Sequence, residues 1–335
     1  MADHAASDVR TGAVRPRPDV PLPPDDGPLP ADIGVRAGGS VSVDPDAPIP
    51  VPDDVALVGS DLDGTLLNSA LQVGQRARGA IPQAVASGIG FVYVTGRPPR
   101  WLSPVVRQTG HAGMAVCANG ALLVDLAQER LVRRTAIDHD LAVTVALRLR
   151  ELVPGITFAL ERLLAGAERT RGLGSLTMVG FEPAYDPPWA RMPDVESGDI
   201  VDLLGRGEPV KVLAAPPAGA GHDSDSMLAL AEAEFAEVLH ITHSGARAGL
   251  IEIMAGEIDK GIGFLEVADM LGIDAARTVA VGDMPNDVPL IRAAGTGYAV
   301  ANAHPSARAA ADHVVPSNED DGVGRLLEAL LAGRP

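Results

Sequence analysis

From residue 55 onward short apolar runs alternate with stretches of helical periodicity, whereas residues 1–52 show neither pattern. Val55-Ala56-Leu57-Val58-Gly59-Ser60 reads as a strand buried on both faces, because a short continuous apolar run bounded by polar residues is typical of parallel strands in a covered sheet. The pattern next predicts a helix over 75–87, with Ala77, Ile81 and Val85 on one face and Gly88 as its stop. A second buried strand over 89–94 ends at Thr95-Gly96-Arg97. Pro98 and Pro99 lead into a helix carrying Trp101, Leu102, Val105 and Val106, which Gly110 closes. Residues 114–117 give a third strand, and 121–124 with 130–134 read as two strands joined by a polar turn.

Between 136 and 249 the rhythm is less regular. Helices are expected over 141–152, stopped by Pro154-Gly155, and over 226–239, with strand-like pieces at 176–179 and 210–214. Regular alternation then resumes: a helix over 261–271, a strand over 278–281, a short helix over 286–294, a strand ending at Val300 and a helix over 305–311. A terminal amphipathic helix runs through Leu326, Leu327 and Leu330. The expectation is an α/β protein whose parallel-sheet core, built from 53–135 and 250–335, is interrupted by an inserted α+β domain at 136–249. No internal repeat stands out. Residues 1–52, punctuated by Pro16, Pro18, Pro21, Pro23, Pro24, Pro28, Pro30 and others, read as a disordered tail, with a partner-docking polyproline segment as the alternative.

Composition narrows the function classes. Aromatic residues make up only 3% of the 335, so the cores must be built from Ala, Val, Leu and Ile. The net charge of −17 argues against a nucleic-acid partner, which needs a basic footprint. An acidic chain can still hold phosphate where a metal ion and a few local cations reverse the field. Cys117 is the single cysteine, so neither an intrachain disulfide nor a thiolate metal cluster can form. No signal-peptide profile opens the sequence, and no apolar run reaches the roughly 18 residues a membrane span needs. The expected setting is the cytoplasm, without a membrane partner; oligomeric state is not legible.

The candidate chemistry sits where strands end. Asp61-Leu62-Asp63-Gly64-Thr65 follows the first buried strand. Its first carboxylate is placed to attack phosphorus and ligate a metal, and its second to act as general acid and then base. Gly64 allows the backbone to approach a phosphate closely. Thr95 offers a hydroxyl at the level where Asp61 emerges, beside Gly96. Arg97 either joins that site or forms a surface salt bridge. Asp259 suits an N-cap, whereas Lys260 in the first turn opposes the helix dipole. Either an anionic partner holds Lys260 or it is a snorkelling surface lysine, and Lys211 is a rival for the same role. Gly282-Asp283-Met284-Pro285-Asn286-Asp287 again puts carboxylates at a strand's carboxyl end. Asp283 would complete a Mg2+ site with Asp61 and a backbone carbonyl of Asp63; Asn286 and Asp287 read equally as helix caps.

In this order, Asp61-x-Asp63-Gly64-Thr65, Thr95-Gly96-Arg97, Lys260-Gly261 and Gly282-Asp283-x-x-Asn286-Asp287 resemble the four motifs of the haloacid dehalogenase superfamily of phosphatases. Asn119-Gly120-Ala121, Asp259-Lys260-Gly261, Ala301-Asn302-Ala303 and Asp321-Gly322-Val323 resemble its Cof-type subfamily, class IIB, over about residues 55–331. The resemblance implies a Rossmann-like core and an α/β cap inserted between the second and third motifs. It implies Asp61 as nucleophile, Asp63 as general acid and base, and Thr95 and Lys260 as phosphate holders. Gly64, Gly96, Arg97 and Asn286 would border the phosphate or substrate. Asp283 would ligate Mg2+ with Asp61 and Asp63, and Asp287 would support the metal, the phosphate or Lys260.

The expected activity is hydrolysis of a small-molecule phosphate monoester, a sugar phosphate or a phosphorylated cofactor, through an aspartyl phosphate. A phosphomutase of the same superfamily is one rival. A non-catalytic ligand- or metal-binding protein and a phosphoacceptor signalling domain are two others. Glu161, Arg162 and Arg169, within the insert, read as solvated surface charges, with a substrate-facing position as the alternative.

Overall fold

The computed structural model describes residues 41–44, 47–185, 195–245 and 249–333. The chain begins with β1 (Leu57–Ser60), α1 (Gln75–Ala86), β2 (Gly90–Val94), α2 (Ser103–Thr109), β3 (Met114–Cys117), β4 (Leu122–Asp125) and β5 (Arg130–Arg134). It continues through α3 (His139–Leu152), β6 (Thr157–Leu163), β7 (Thr177–Phe181), β8 (Val195–Ser197) and α4 (Ile200–Leu204). Next come β9 (Glu208–Ala215), α5 (Ser224–Phe235), β10 (Leu239–Thr242) and β11 (Ile251–Ala255). The last part holds α6 (Lys260–Met270), β12 (Thr278–Gly282), α7 (Val288–Ala293), β13 (Thr296–Val300), α8 (Pro305–Ala310), β14 (His313–Val315) and α9 (Gly322–Ala332).

Eight strands form one sheet in the order β14-β13-β12-β1-β2-β3-β4-β5. Strand β1 pairs in parallel with β2 on one side and β12 on the other, with Ser60 opposite Tyr93 and Val281. The chain builds outward from β1 to β5 and later returns on the far side of β1. The strand order therefore reverses between β1 and β12, and the crevice beyond their carboxyl ends is where open α/β sheets bind ligands. Helices cover both faces, as the continuous apolar strands require. On one face Ala77, Ile81 and Ala84 of α1 and Val323, Leu326 and Leu327 of α9 join the core beneath Val58 and Tyr93. On the other, Phe264 and Val267 of α6 pack against Leu57, Val92, Val94 and Ala280.

The remaining strands form a second sheet in the order β10-β11-β9-β6-β7-β8, antiparallel throughout except for the β7–β8 pair. Alternation divides its residues between two faces. Phe158, Leu160, Val212, Ala214, Ile251 and Ile253 lie beneath α3, α4 and α5, against Leu149, Leu203 and Met227. Glu161, Lys211 and Glu252 point the other way, and the ammonium of Lys211 reaches the carbonyl of Gly96 at the end of β2.

Several expectations change. The boundary at 249 stops one strand short, because Ile251–Ala255 pairs with β9 and β10 in the second sheet. The helix expected to run to 239 ends at Phe235, and Leu239 opens a strand in which Leu239 and Ile241 alternate inward. Trp101 lies in a 3-10 turn (Pro99–Trp101) ahead of α2, since Pro104 suits only the first turn of the helix that follows. Of the expected tail, residues 1–40 and 45–46 lie outside the described residues. The stretch up to 52 is attached: Ile49 and Val51 pack against the core, Pro50 O accepts from the Tyr298 hydroxyl at 2.7 Å, and Val41 N donates to Ala301 O at 3.0 Å. Two apolar residues and two hydrogen bonds are enough to dock a proline-rich strand that donates little itself. No described helix is long and apolar enough to cross a membrane.

Candidate active site

Asp61 emerges at the carboxyl end of β1, where its backbone NH extends the ladder to Val281 O at 3.0 Å. Its side chain meets Lys260, whose Nζ donates to Asp61 Oδ1 at 2.7 Å and to Asp287 Oδ1 at 2.6 Å. Lys260 is 1% exposed, so the snorkelling alternative fails and the anionic partner is present. Asp259 does cap α6, accepting from Ile262 N at 2.7 Å, and the helix thereby delivers a lysine into a carboxylate cluster. Burial disfavours the ammonium, but Asp287 and Asp61 outweigh it and keep Lys260 charged. Burial, followed by the charge of Asp287, pushes the Asp61 carboxyl up to about 8, against the opposing pull of Lys260.

Asp283 stands at the end of β12, next to β1. Its Oδ1 accepts from the Thr65 hydroxyl at 2.9 Å, which ties the two strand-end loops together across 218 positions of sequence. Its Oδ2 is buried without a partner. Burial and the neighbouring charges of Asp61 and Asp287 raise its carboxyl well above the ordinary range. Asp61, Asp283 and Asp287 can each bring an oxygen within 4.8 Å of the others. Hydrogen bonding separates them, however. Asp287 gives Oδ1 to Lys260 and Oδ2 to the backbone NH groups of Asp283 and Met284, both at 3.0 Å. Both its oxygens are engaged, so Asp287 fits an anchoring role, whereas the orphaned oxygen of Asp283 and the second oxygen of Asp61 fit a hard divalent cation.

The Asp63 side chain lies outside that carboxylate cluster, in keeping with an expected ligand that is its backbone carbonyl and not its carboxylate. Both its oxygens pair with Arg97, one accepting from Nε at 2.7 Å and the other from Nη2. Arg97 is thus no surface ion pair; it is 3% exposed, and its Nη1 is buried without a partner. Thr95 is fully buried, with its hydroxyl accepting from Arg97 N at 3.1 Å. The Gly64 carbonyl accepts from Asn302 Nδ2 at 2.8 Å, and Asn302 in turn accepts from Asn318 N at 3.0 Å. A Cβ on Gly96 would lie 3.0 Å from Asn119 Oδ1, so the turn after Thr95 is lined tightly on that side.

A buried chain of polar groups links this region to the second sheet. Asn286 Nδ2 donates to Asn119 Oδ1 at 3.1 Å, and Asn119 Nδ2 donates to Glu252 Oε2 at 2.8 Å. Glu252 also accepts from Lys211 at 3.0 Å and from the Ser244 hydroxyl at 2.6 Å. Burial alone would raise the Glu252 carboxyl, but the Lys211 charge and these donors hold it low. Asn119 adopts φ +53° within a 3-10 turn, and a Cβ on Gly120 would meet Asp259 O at 2.1 Å, so this turn requires Asn-Gly. Thr65, Glu252 and the structural part of Lys211 were not singled out from sequence. The signal for Glu252 and Lys211 was a lone charged residue inside an apolar strand, as in Ile251-Glu252-Ile253 and Val210-Lys211-Val212. The expectation of solvated charges holds for Arg169, which is exposed. It fails for Glu161 and Arg162, 2% and 5% exposed, the latter paired with Glu196 at 2.7 Å.

The sequence model described as haloacid dehalogenase-like hydrolase matches residues 58–164 and 202–327. The chain belongs to that family. Within the haloacid dehalogenase-like hydrolases it is similar to "Phosphatase YwpJ" of Bacillus subtilis, 27% identical over 288 residues that cover 82% of this chain and 99% of the relative. It is likewise 27% identical, over 300 residues, to "5-amino-6-(5-phospho-D-ribitylamino)uracil phosphatase YwtE" of the same organism, covering 83% of this chain and 98% of that one. Among solved structures, the "HAD Subclass IIB Sugar Phosphatase BT4131" superposes with a TM-score of 0.65 at 18% identity, covering 82% of this chain and 98% of that structure, which shows the shared fold. The haloacid dehalogenase-like chain described here is thus a phosphatase of the Cof type.

Proposed function

We propose that the chain hydrolyses small-molecule phosphate monoesters through a phosphoaspartate on Asp61, assisted by Mg2+. The observation that carries the reading is the convergence of Asp61 with Lys260 and with Asp283, whose free oxygen is buried, at the switch point of the sheet. Asp61 attacks phosphorus in line as the bond to the ester oxygen breaks, and Asp63, protonated once one of its oxygens is released from Arg97, gives that oxygen its proton. Asp63 then takes a proton from water; the water oxygen attacks phosphorus, the bond to Asp61 breaks, and inorganic phosphate leaves. Lys260 balances charge on the phosphoryl oxygens and favours the ionised form of Asp61, while Arg97 orients Asp63 and offers its spare Nη1 to the phosphate. A magnesium ion held by Asp61, Asp283 and the Asp63 carbonyl would supply the remaining positive charge. Asn286 and Thr95 support this reading as buried hydrogen-bonding groups bordering the phosphate, and the second sheet acts as the cap that excludes water.

The names of the relatives, a ribitylamino phosphate phosphatase and a sugar phosphatase, support hydroxylated esters as the substrate class. The test is phosphate release over a panel of sugar, polyol, nucleotide and cofactor phosphates. Turnover is expected with Mg2+, is lost in excess chelator and falls at least about 1,000-fold in Asp61→Asn. Equal inertness of wild type and Asp61→Asn with Mg2+ would replace catalysis by ligand binding, and conversion of a hexose phosphate to its isomer without free phosphate would replace hydrolysis by mutase chemistry.

A further inference from the structure

Buried polar atoms without a partner are few in native proteins, and each calls for an explanation. Among the described residues they include Arg97 Nη1, Asp283 Oδ2 and Asn286 Oδ1 beside Asp61, which the phosphate and the metal ion account for. Three others have no such explanation. Both carboxylate oxygens of Glu161 and the hydroxyl of Thr177 are buried; the Thr177 hydroxyl lies close enough to help hold the Glu161 carboxyl down, and neither group has a hydrogen-bond partner elsewhere among the described residues. Glu161 is 2% exposed and Thr177 is fully buried.

Their position follows from register. Glu161 on β6 lies directly opposite Lys211 on β9, so both side chains stand on the same face of the second sheet. Lys211 Nζ touches the carbonyl of Gly96, the residue after Thr95. Thr177 on β7 pairs with Leu163, two residues along β6 from Glu161, and therefore shares that face as well. The Thr177 carbonyl accepts from Arg100 Nη2 at 2.7 Å, which holds this end of β7 against the turn that follows β2. Glu161 and Thr177 thus share the face of the lysine that touches the turn after β2, one and two strands beyond it.

We propose that Glu161 and Thr177 are specificity-determining residues that grip hydroxyl groups of the leaving group. The inference rests on the phosphatase reading and adds the residues that read the substrate. A carboxylate with both oxygens free can accept from two neighbouring hydroxyls, as acidic residues do with the hydroxyls of ribose, and the Thr177 hydroxyl can donate or accept beside it. Lys211, across from Glu161, disfavours a cationic leaving group, so a neutral polyol fits better than an amine. Burial pushes the Glu161 carboxyl up to about 7 against the opposing pull of Lys211 and Thr177.

The experiment compares kcat/KM for ribitol 5-phosphate and for propyl phosphate, with Mg2+, in the full chain and in Glu161→Gln, Glu161→Ala and Thr177→Val. Wild type is expected to favour the polyol ester. Glu161→Ala should lower that preference about 10- to 100-fold, the range for losing hydrogen bonds to a charged group, with smaller losses in Glu161→Gln and Thr177→Val. Parallel loss on both esters, or an unchanged ratio in all three variants, overturns the assignment while leaving the phosphatase reading intact. Inertness of the wild type toward every ester of the wider panel overturns both. Glu161→Gln keeps the side-chain volume, so a folded variant is at hand even if Glu161→Ala misfolds.

Discussion

Glu161 carries a stability signature separate from any substrate. Its ordinary value of 4.5 rises to about 7 in the fold, mainly through burial, so the folded state holds its proton more tightly than the unfolded chain does. Stability from this group is therefore undiminished below 4.5 and falls as pH rises through about 7. A shift of that size corresponds to about 3 kcal/mol. Glu161→Gln, which cannot ionise, should melt near wild type at pH 4.5 and several degrees above it at pH 8, measured by thermal unfolding without substrate. A constant difference across that window would contradict the buried, unpartnered carboxyl. Mg2+ makes a second prediction at this scale: it should raise the melting temperature of wild type, and Asp283→Asn should abolish most of that shift, since linkage requires a bound ion. Residues at strand ends were legible because Asp-x-Asp-Gly-Thr and Gly-Asp-x-x-Asn-Asp announce chemistry. What each atom touches was not: the pairing of Asp63 with Arg97 and the full engagement of Asp287 depend on side-chain directions that spacing does not encode.

Among the elements, α1 illustrates what local pattern conveys and what it omits. Periodicity points to Ala77, Ile81 and Val85; Ala77 and Ile81 are buried, but Ala84 completes the face and Val85 is only half-buried, and Pro82 is accommodated within the helix. Its N-cap Gly74 provides no side chain. Asp321, ahead of α9, supplies the missing acceptor to Arg76 N at 2.6 Å and to Ala77 N at 3.3 Å. Gly74 is required there, because a Cβ would lie 2.1 Å from the Asp321 carboxylate carbon. Asp321→Ala should lower stability by about 1 kcal/mol, the usual loss for a removed N-cap, and Gly74→Ala should cost at least as much through the clash; chemical denaturation measures both. The central core strands were legible because nearly all their positions are buried, and the helices because burial follows one face. Strands β6, β10 and β11 were not, because Glu161, His240 and Glu252 interrupt their apolar runs.

Across the whole molecule, the two sheets meet through the buried pair Lys211–Glu252 and its extension to Asn119, Asn286 and Gly96. Removing one member strands the other. Lys211→Met alone is expected to destabilise by about 3–5 kcal/mol, whereas adding Glu252→Gln should recover part of that loss. Additive losses in a double-variant cycle, read by denaturant unfolding, would mean that the two charges do not act as a pair. The insertion of one sheet's chain into the other was legible from the break in rhythm near residue 136, but its far edge was placed short of β11 because Gly249-Leu250-Ile251 offers no turn signal of its own beyond the glycine. The order of the larger sheet also bears on the life of the chain before it is finished. While the ribosome works, β1 has β2 on one side and an open edge on the other, since β12 is not yet made. Asp61 at that stage lacks Lys260, 199 positions downstream, and Asp283. A nascent chain that stops short of Asp283 therefore carries Asp61 without the groups proposed to arm it.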